Sequence, residues 1–212
     1  MKLLLERYKE FRQSVLSANR EFYENLVLGQ EPDTMLITCS DSRICPESMF
    51  GYRPGEVFVL RNAGNIVPSY GGGGSGGEVA TIEYAVAVLK VKHIVVCGHT
   101  GCGAMRALLD PQSVSTLPGV AEWLRSAENT RRDVMESNLK SDLNELVSVA
   151  ARENALCQLD NLRTHPSVAS AVRQGKVQLH AWVYKLEDHV VEAFNAETNR
   201  FEPVMANEKV GA

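Results

Sequence analysis

Apolar residues near the start of the chain recur at helical spacing: Leu4, Leu5, Tyr8, Phe11, Val15, Leu16 and Phe22 stand among charged neighbours. That rhythm predicts an amphipathic helical arm over residues 1–29, with Gly29 as a stop and Pro32 marking the boundary. The pattern then changes. Residues 34–38 (Thr-Met-Leu-Ile-Thr) form a short apolar run ending at Cys39, which predicts a buried strand. Residues 57–60 and 93–97 repeat it, each followed by Gly, Asn or charged residues, and residues 78–89 between them carry a helical pattern. Residues 118–162 are largely helical in character, residues 180–186 alternate as a strand does, and 203–212 read as a loose tail. Strands alternating with helices predict an α/β fold with a mostly parallel central sheet flanked by helices, in one domain spanning residues 1–212.

Two features test that division. The run at residues 71–77 (Gly-Gly-Gly-Gly-Ser-Gly-Gly) has the composition of a linker. Chemistry-bearing residues lie on both sides of it, so it reads as a loop within the domain. It lacks the Lys-Ser or Lys-Thr of a phosphate-cradling loop. The arm, in turn, must bury its apolar face, and a partner subunit is a natural destination.

Composition removes several function classes. The apolar share is 44% and the charged share 23%, ordinary for a globular chain, and the formal charge of −4 leaves no basic footprint for nucleic acid. No apolar run approaches the roughly 20 residues of a membrane span. Glu6, Arg7, Lys9 and Glu10 interrupt the apolar start before a signal sequence can form. The chain therefore reads as cytosolic or as a mature chain. Its five cysteines do not suggest a secreted disulfide framework; near a histidine, thiols read as metal ligands or catalytic groups.

Two segments carry the chemistry: Cys39-Ser40-Asp41-Ser42-Arg43 and His99-Thr100-Gly101-Cys102-Gly103. His99 and Cys102 are spaced so that one turn can aim both at an ion, and Cys39 supplies a third ligand from another strand end. Two thiolates and an imidazole form a zinc-like donor set that leaves one position open. Such a site is formally neutral, so acidifying a bound water needs hydrogen bonds and positive charge nearby. Asp41 and Arg43 are placed to give them: Asp41 as acceptor for the zinc-bound hydroxide, Arg43 as the partner holding Asp41 ionised. Asp41 is equally able to become a fourth zinc ligand, closing the site. A structural zinc site, or unrelated core thiols, is the competing reading of the spacing.

These segments resemble the two signatures of β-class carbonic anhydrases. The resemblance continues through Pro54-Gly55-Glu56, Arg61-Asn62-Ala63-Gly64-Asn65, Ile82-Glu83-Tyr84-Ala85-Val86 and His180-Ala181-Trp182-Val183-Tyr184, and covers roughly residues 1–200. It implies reversible hydration of carbon dioxide to bicarbonate and a proton, with one zinc per subunit on Cys39, His99 and Cys102 and an Asp41–Arg43 dyad. It also implies a homodimer or larger homo-oligomer, with the N-terminal helix clasping the neighbour. Gln30 matches a substrate-contacting glutamine of the constitutively open, plant-like subclass, and Phe58, Ala63 and Tyr84 match the apolar substrate pocket. The bicarbonate-gated subclass has a tryptophan where this chain has Leu36, although Arg61 and Tyr184 match that subclass's arginine and tyrosine. The open form is the one expected. The overall texture is similar to the cyanobacterial and plant-like branch. Related folds with the same ligands hydrolyse carbon disulfide or carbonyl sulfide.

The remaining candidates read as ordinary packing. Cys45 is a loop thiol with a redox role as the alternative; Cys97 is core and Cys157 a packed helical side chain. Among His93, His165, His180 and His189 a proton shuttle is the alternative to plain structural roles. Ser40 and Ser42 read as turn formers, because no His–Asp pair is placed to activate either.

Overall fold

A computed structural model of the chain describes residues 1–71, 76–137 and 142–204. Much of the glycine run and the last eight residues of the chain, 205–212, therefore lie outside the described residues.

Among the described residues, six strands form one sheet in the order β2-β1-β3-β4-β5-β6. They are β1 (Thr34–Cys39), β2 (Val57–Asn62), β3 (His93–His99), β4 (Gln178–Tyr184), β5 (Val191–Asn195) and β6 (Arg200–Pro203). The first four run parallel, and β5 and β6 are antiparallel additions. The expected mostly parallel sheet is present. The β5–β6 hairpin was not expected, and it takes Pro203 from the tail: Val204 N–H still donates to Val191 O at 2.8 Å. Both strands are short and only half-buried, with Glu192 and Asn195 interrupting the apolar pattern.

The period-two alternation of each strand sorts its side chains between two faces. Met35, Ile37, Ile94, Val96, Ala181 and Val183 belong to the main core, under α4 (Gly77–Tyr84), α8 (Leu143–Thr164) and α9 (Pro166–Arg173). Leu36, Val95 and Cys97 lie on the other face with Phe50, the last residue of the short α3 (Pro46–Phe50), and Trp182. A third apolar cluster gathers at one end of the sheet, around α5 (Gly103–Leu109), α6 (Pro118–Leu124), α7 (Glu128–Ser137) and α8.

The longest helix, α8, starts from Asp142, whose carboxylate accepts the N–H groups of Asn144 and Glu145 as an N-cap. It lies across β3 and β4. Contact is tightest at Gly98, where a Cβ would stand 2.9 Å from the Ala151 carbonyl oxygen.

The arm is not one continuous helix. α1 (Lys2–Glu10) runs into a π-helical turn, Phe11–Leu16, and α2 (Arg20–Leu26) follows a break at Asn19, whose backbone is non-helical at φ −127° and ψ 32°. Ser14, Ser17 and Asn19 turn their side chains back onto carbonyls four residues earlier, the local competition that bends and ends helices. Neither α1 nor α2 has a single buried residue, and Leu3, Leu4, Leu5 and Tyr8 are more than half exposed.

Candidate metal centre

The strand order reverses between β1 and β3: from β1 the chain moves to β2 on one side and then crosses to β3 on the other. Such a switch point leaves a crevice beyond the carboxyl ends of the strands. Cys39 ends β1 and His99 ends β3, so the ligands are the last strand residues rather than the first loop residues. Cys102 is the N-cap of α5.

Their three donor atoms lie within 4.8 Å of one another, and each residue is at most 5% exposed. The two sulfurs are 4.0 Å apart. Sulfurs at about 2.3 Å from one tetrahedral zinc stand roughly 3.8 Å apart, so the spacing fits a shared ion. The imidazole adds a second test. His99 Nδ1 is 2.9 Å from Thr100 O, which assigns the proton to Nδ1 and leaves Nε2 with a bare lone pair. That Nε2 is buried with no hydrogen-bond partner among the described residues, as a metal-ligating nitrogen would be. The donor set fits zinc.

Charge around the sulfurs is arranged in advance. Cys39 Sγ accepts N–H groups from Asp41 and Gly64, each at 3.4 Å. The neighbouring Cys102 thiol, with help from His99 and those two amides, pulls the Cys39 thiol down to about 4 against the opposing effect of burial. Cys102 is pushed upward by the same contact and by burial.

Arg43 grips Asp41 through both carboxylate oxygens, Nε to Oδ1 at 2.9 Å and a terminal nitrogen to Oδ2 at 2.7 Å, and Arg43 N–H adds a third bond to Oδ1 at 3.0 Å. This holds the carboxyl well below the usual carboxylate range. Asp41 Oδ2 stands 3.9 Å from His99 Nε2, at the edge of the donor cluster. Arg43 also donates to Gly101 O at 3.1 Å, tying the two signature segments together.

The substrate-pocket candidates are only partly assembled in the single chain. Gln30 and Tyr84 line one open cavity of about 500 Å³ with Leu26, Gly55 and Leu89. The Phe58 and Tyr84 rings are 6.1 Å apart. Ala63 lies outside that cavity lining, and its carbonyl accepts the Trp123 indole N–H at 2.8 Å. Leu36 is buried in the sheet. The Arg61 guanidinium is committed to the carbonyls of Cys39, Asp41 and Ile44, and Tyr184 OH pairs with His189 at 2.8 Å.

Cys97 is 1% exposed, and burial raises its thiol to about 12, as a core thiol requires. Cys157 is half-buried on α8 and Cys45 is exposed. One supporting contact went unread in the sequence. The Thr100 hydroxyl donates to Glu187 at 2.8 Å and accepts Leu186 N–H at 2.9 Å, bracing the carbonyl that orients His99. Thr100 sits inside the second signature segment, but nothing in the sequence ties Glu187 to it.

Comparison with known proteins agrees with this geometry. The family profile described as carbonic anhydrase matches residues 34–191. Carbonic anhydrase 1 of Escherichia coli O157:H7 is 43% identical over 212 residues, covering 100% of this chain and 96% of that protein. The structure of the β-carbonic anhydrase CcaA superposes with a TM-score of 0.94 at 40% identity, over 96% of this chain and 99% of that one. A tetrameric β-carbonic anhydrase from Sordaria macrospora gives 0.82 at 29% identity, over 92% and 96%. The chain belongs to the carbonic anhydrase family in its β class, a zinc enzyme for the reversible hydration of carbon dioxide to bicarbonate.

Proposed function

We propose that Asp41 and Arg43 are the catalytic dyad of this enzyme and that its site is of the open kind, with Asp41 held off the metal. One observation carries the reading: both Asp41 carboxylate oxygens are engaged by Arg43, while the neighbouring His99 Nε2 stays free for the ion. Zinc, when bound by Cys39, His99 and Cys102, supplies the Lewis acid that makes water a nucleophile near neutral pH. Asp41 Oδ2 then serves as the acceptor that fixes the orientation of the attacking oxygen. Arg43 keeps Asp41 ionised and in place, so no reorganisation is needed during the reaction.

Carbon dioxide has no charge to steer, and apolar walls suit it. We assign those walls to Phe58, Ala63 and Tyr84, and to the Gln30 amide the hydrogen bond to the oxygen that gains charge. In the single chain Gln30 and Tyr84 face an open cavity, so we place the finished pocket at the contact with a second copy. The unpartnered arm supports a homodimer or larger homo-oligomer, as does the tetrameric relative. No helix among the described residues is long and apolar enough to cross a membrane. Five cysteines without disulfides suit the reducing cytoplasm, where we place the enzyme.

The test is Asp41→Ala. Stopped-flow hydration of carbon dioxide with a pH indicator is expected to slow by about a hundredfold or more, in the range typical of a lost acid–base group. Bound zinc, measured by atomic emission, should stay near one per chain. Turnover at the wild-type rate would overturn the dyad. A crystal grown near neutral pH with Asp41 on the metal would overturn the open state.

A further inference from the structure

Helix α8 carries an unusual burden for a core helix: the side chains of Asn154 and Gln158 are 0% exposed. Buried amides persist where their hydrogen bonds do a specific job. Here each of the two amides makes one bond to the loop that follows β2. Asn154 Nδ2 donates to Gly64 O at 2.9 Å, and its Oδ1 accepts from Gln158 Nε2 at 2.8 Å and from Thr130 Oγ1 at 3.3 Å. Gln158 Oε1 accepts Val67 N–H at 2.9 Å, and Asn161 Nδ2 donates to Val67 O at 2.9 Å. Within the loop, Asn62 closes a ring on Ile66 through two bonds of 2.8 and 2.9 Å.

The residue so held is Gly64, at φ +81°, where the Cβ of any other residue would meet Ala104 Cβ at only 2.9 Å. Its carbonyl is fixed by Asn154 and its N–H points to Cys39 Sγ at 3.4 Å. A two-thiolate, one-imidazole zinc site is formally neutral, and each N–H···S bond withdraws charge from the thiolate and makes the metal a stronger Lewis acid.

We infer that Asn154 is a positioning residue for the metal centre: by fixing Gly64 it sets the N–H···S bond that tunes Cys39 and the zinc upon it. The inference rests on zinc being held by Cys39, His99 and Cys102. It goes further by giving a helix residue that touches neither metal nor substrate control over the metal's electronic state.

The test compares Asn154→Leu with Leu162→Ala, a core truncation on the same helix at a side chain that makes no hydrogen bond to the loop. With cobalt in place of zinc, the thiolate-to-metal absorption band is expected to move to lower energy in Asn154→Leu and to stay put in Leu162→Ala. Zinc affinity, by competition with a chromophoric chelator, should fall about tenfold in the first variant, the lower end for a lost outer partner. With NMR-active cadmium bound, the Gly64 and Asp41 amide protons of the wild type should both couple to the metal. Asn154→Leu should lose the Gly64 coupling and keep that of Asp41. If Asn154→Leu does not fold, Asn154→Ser is read in the same way. A Gly64 amide uncoupled in the wild type, a band unmoved by either Asn154 variant, or an equal shift in Leu162→Ala would overturn the inference. A wild type with no thiolate band at all would instead overturn the metal assignment beneath it.

Discussion

The metal end of the sheet and the N-terminal arm stand at opposite extremes of self-sufficiency. Around Cys39, His99 and Cys102 the supporting contacts come from inside the chain, down to amides aimed at a sulfur, and His99 Nε2 is left free for the ion. The arm has no buried residue in α1 or α2, and it turns Leu3, Leu4, Leu5 and Tyr8 outward. Folding one chain completes the first region and leaves the second unfinished. Metal binding should therefore belong to the single chain, whereas the proposed substrate pocket, with Gln30 at the arm's end, should belong to the assembly.

The largest effect expected from breaking that contrast is at Cys39. Cys39→Ser removes a thiolate ligand, and both zinc content and carbon dioxide hydration should fall to background, while the mass in solution stays that of the wild-type assembly. Loss of assembly together with zinc would mean that the two regions are not separable. A smaller effect is expected from Leu4→Ser, Leu5→Ser and Tyr8→Ser combined. Sedimentation should show smaller species with about one zinc per chain, and hydration should drop severalfold or more. Retention of the full assembly would remove the arm from the interface.

The smallest effect concerns pH. Burial, reinforced by His93 at 3.2 Å, holds the His180 pKa below its ordinary 6.5. Below pH 6.5 the unfolded chain therefore binds this proton before the folded one does. Stability should be full above about pH 6.5 and decline as pH falls through the interval down to the lowered folded value. His180→Phe should flatten the fall in melting temperature between pH 7.5 and 5.5 by a few degrees; an unchanged slope would show that His180 does not contribute it.

The sheet's parallel core was legible because β1 and β3 are buried apolar runs and β4 alternates, patterns that do not depend on their neighbours for recognition. The β5–β6 hairpin escaped because four or five half-buried residues with Glu192 and Asn195 among them carry too little pattern. Cys39, His99 and Cys102 were legible for a different reason, since ligand chemistry requires particular residue types at particular spacings. Asn154 and Gln158 show the limit. An Asn and a Gln on a helix look in sequence like solvated surface, and only the packing of α8 against the loop at residues 62–67 reveals them as core. The arm's interruption was hidden too, because Ser14, Ser17 and Asn19 weaken a helix through bonds to its own backbone rather than through any break in the apolar rhythm.

Gly98 bears on how this enzyme can change over generations. Its missing side chain lets β3 lie against the Ala151 carbonyl, and that obstacle is backbone, present whatever residue occupies position 151. Changing the side chain at 151 makes no room, so a mutation at Gly98 has to move backbone beside the metal ligand His99. The residue next to His99 is therefore closed to gradual evolutionary exploration. Variation in this enzyme's properties must instead enter through the arm, the pocket walls and the loops, where a neighbour can adapt.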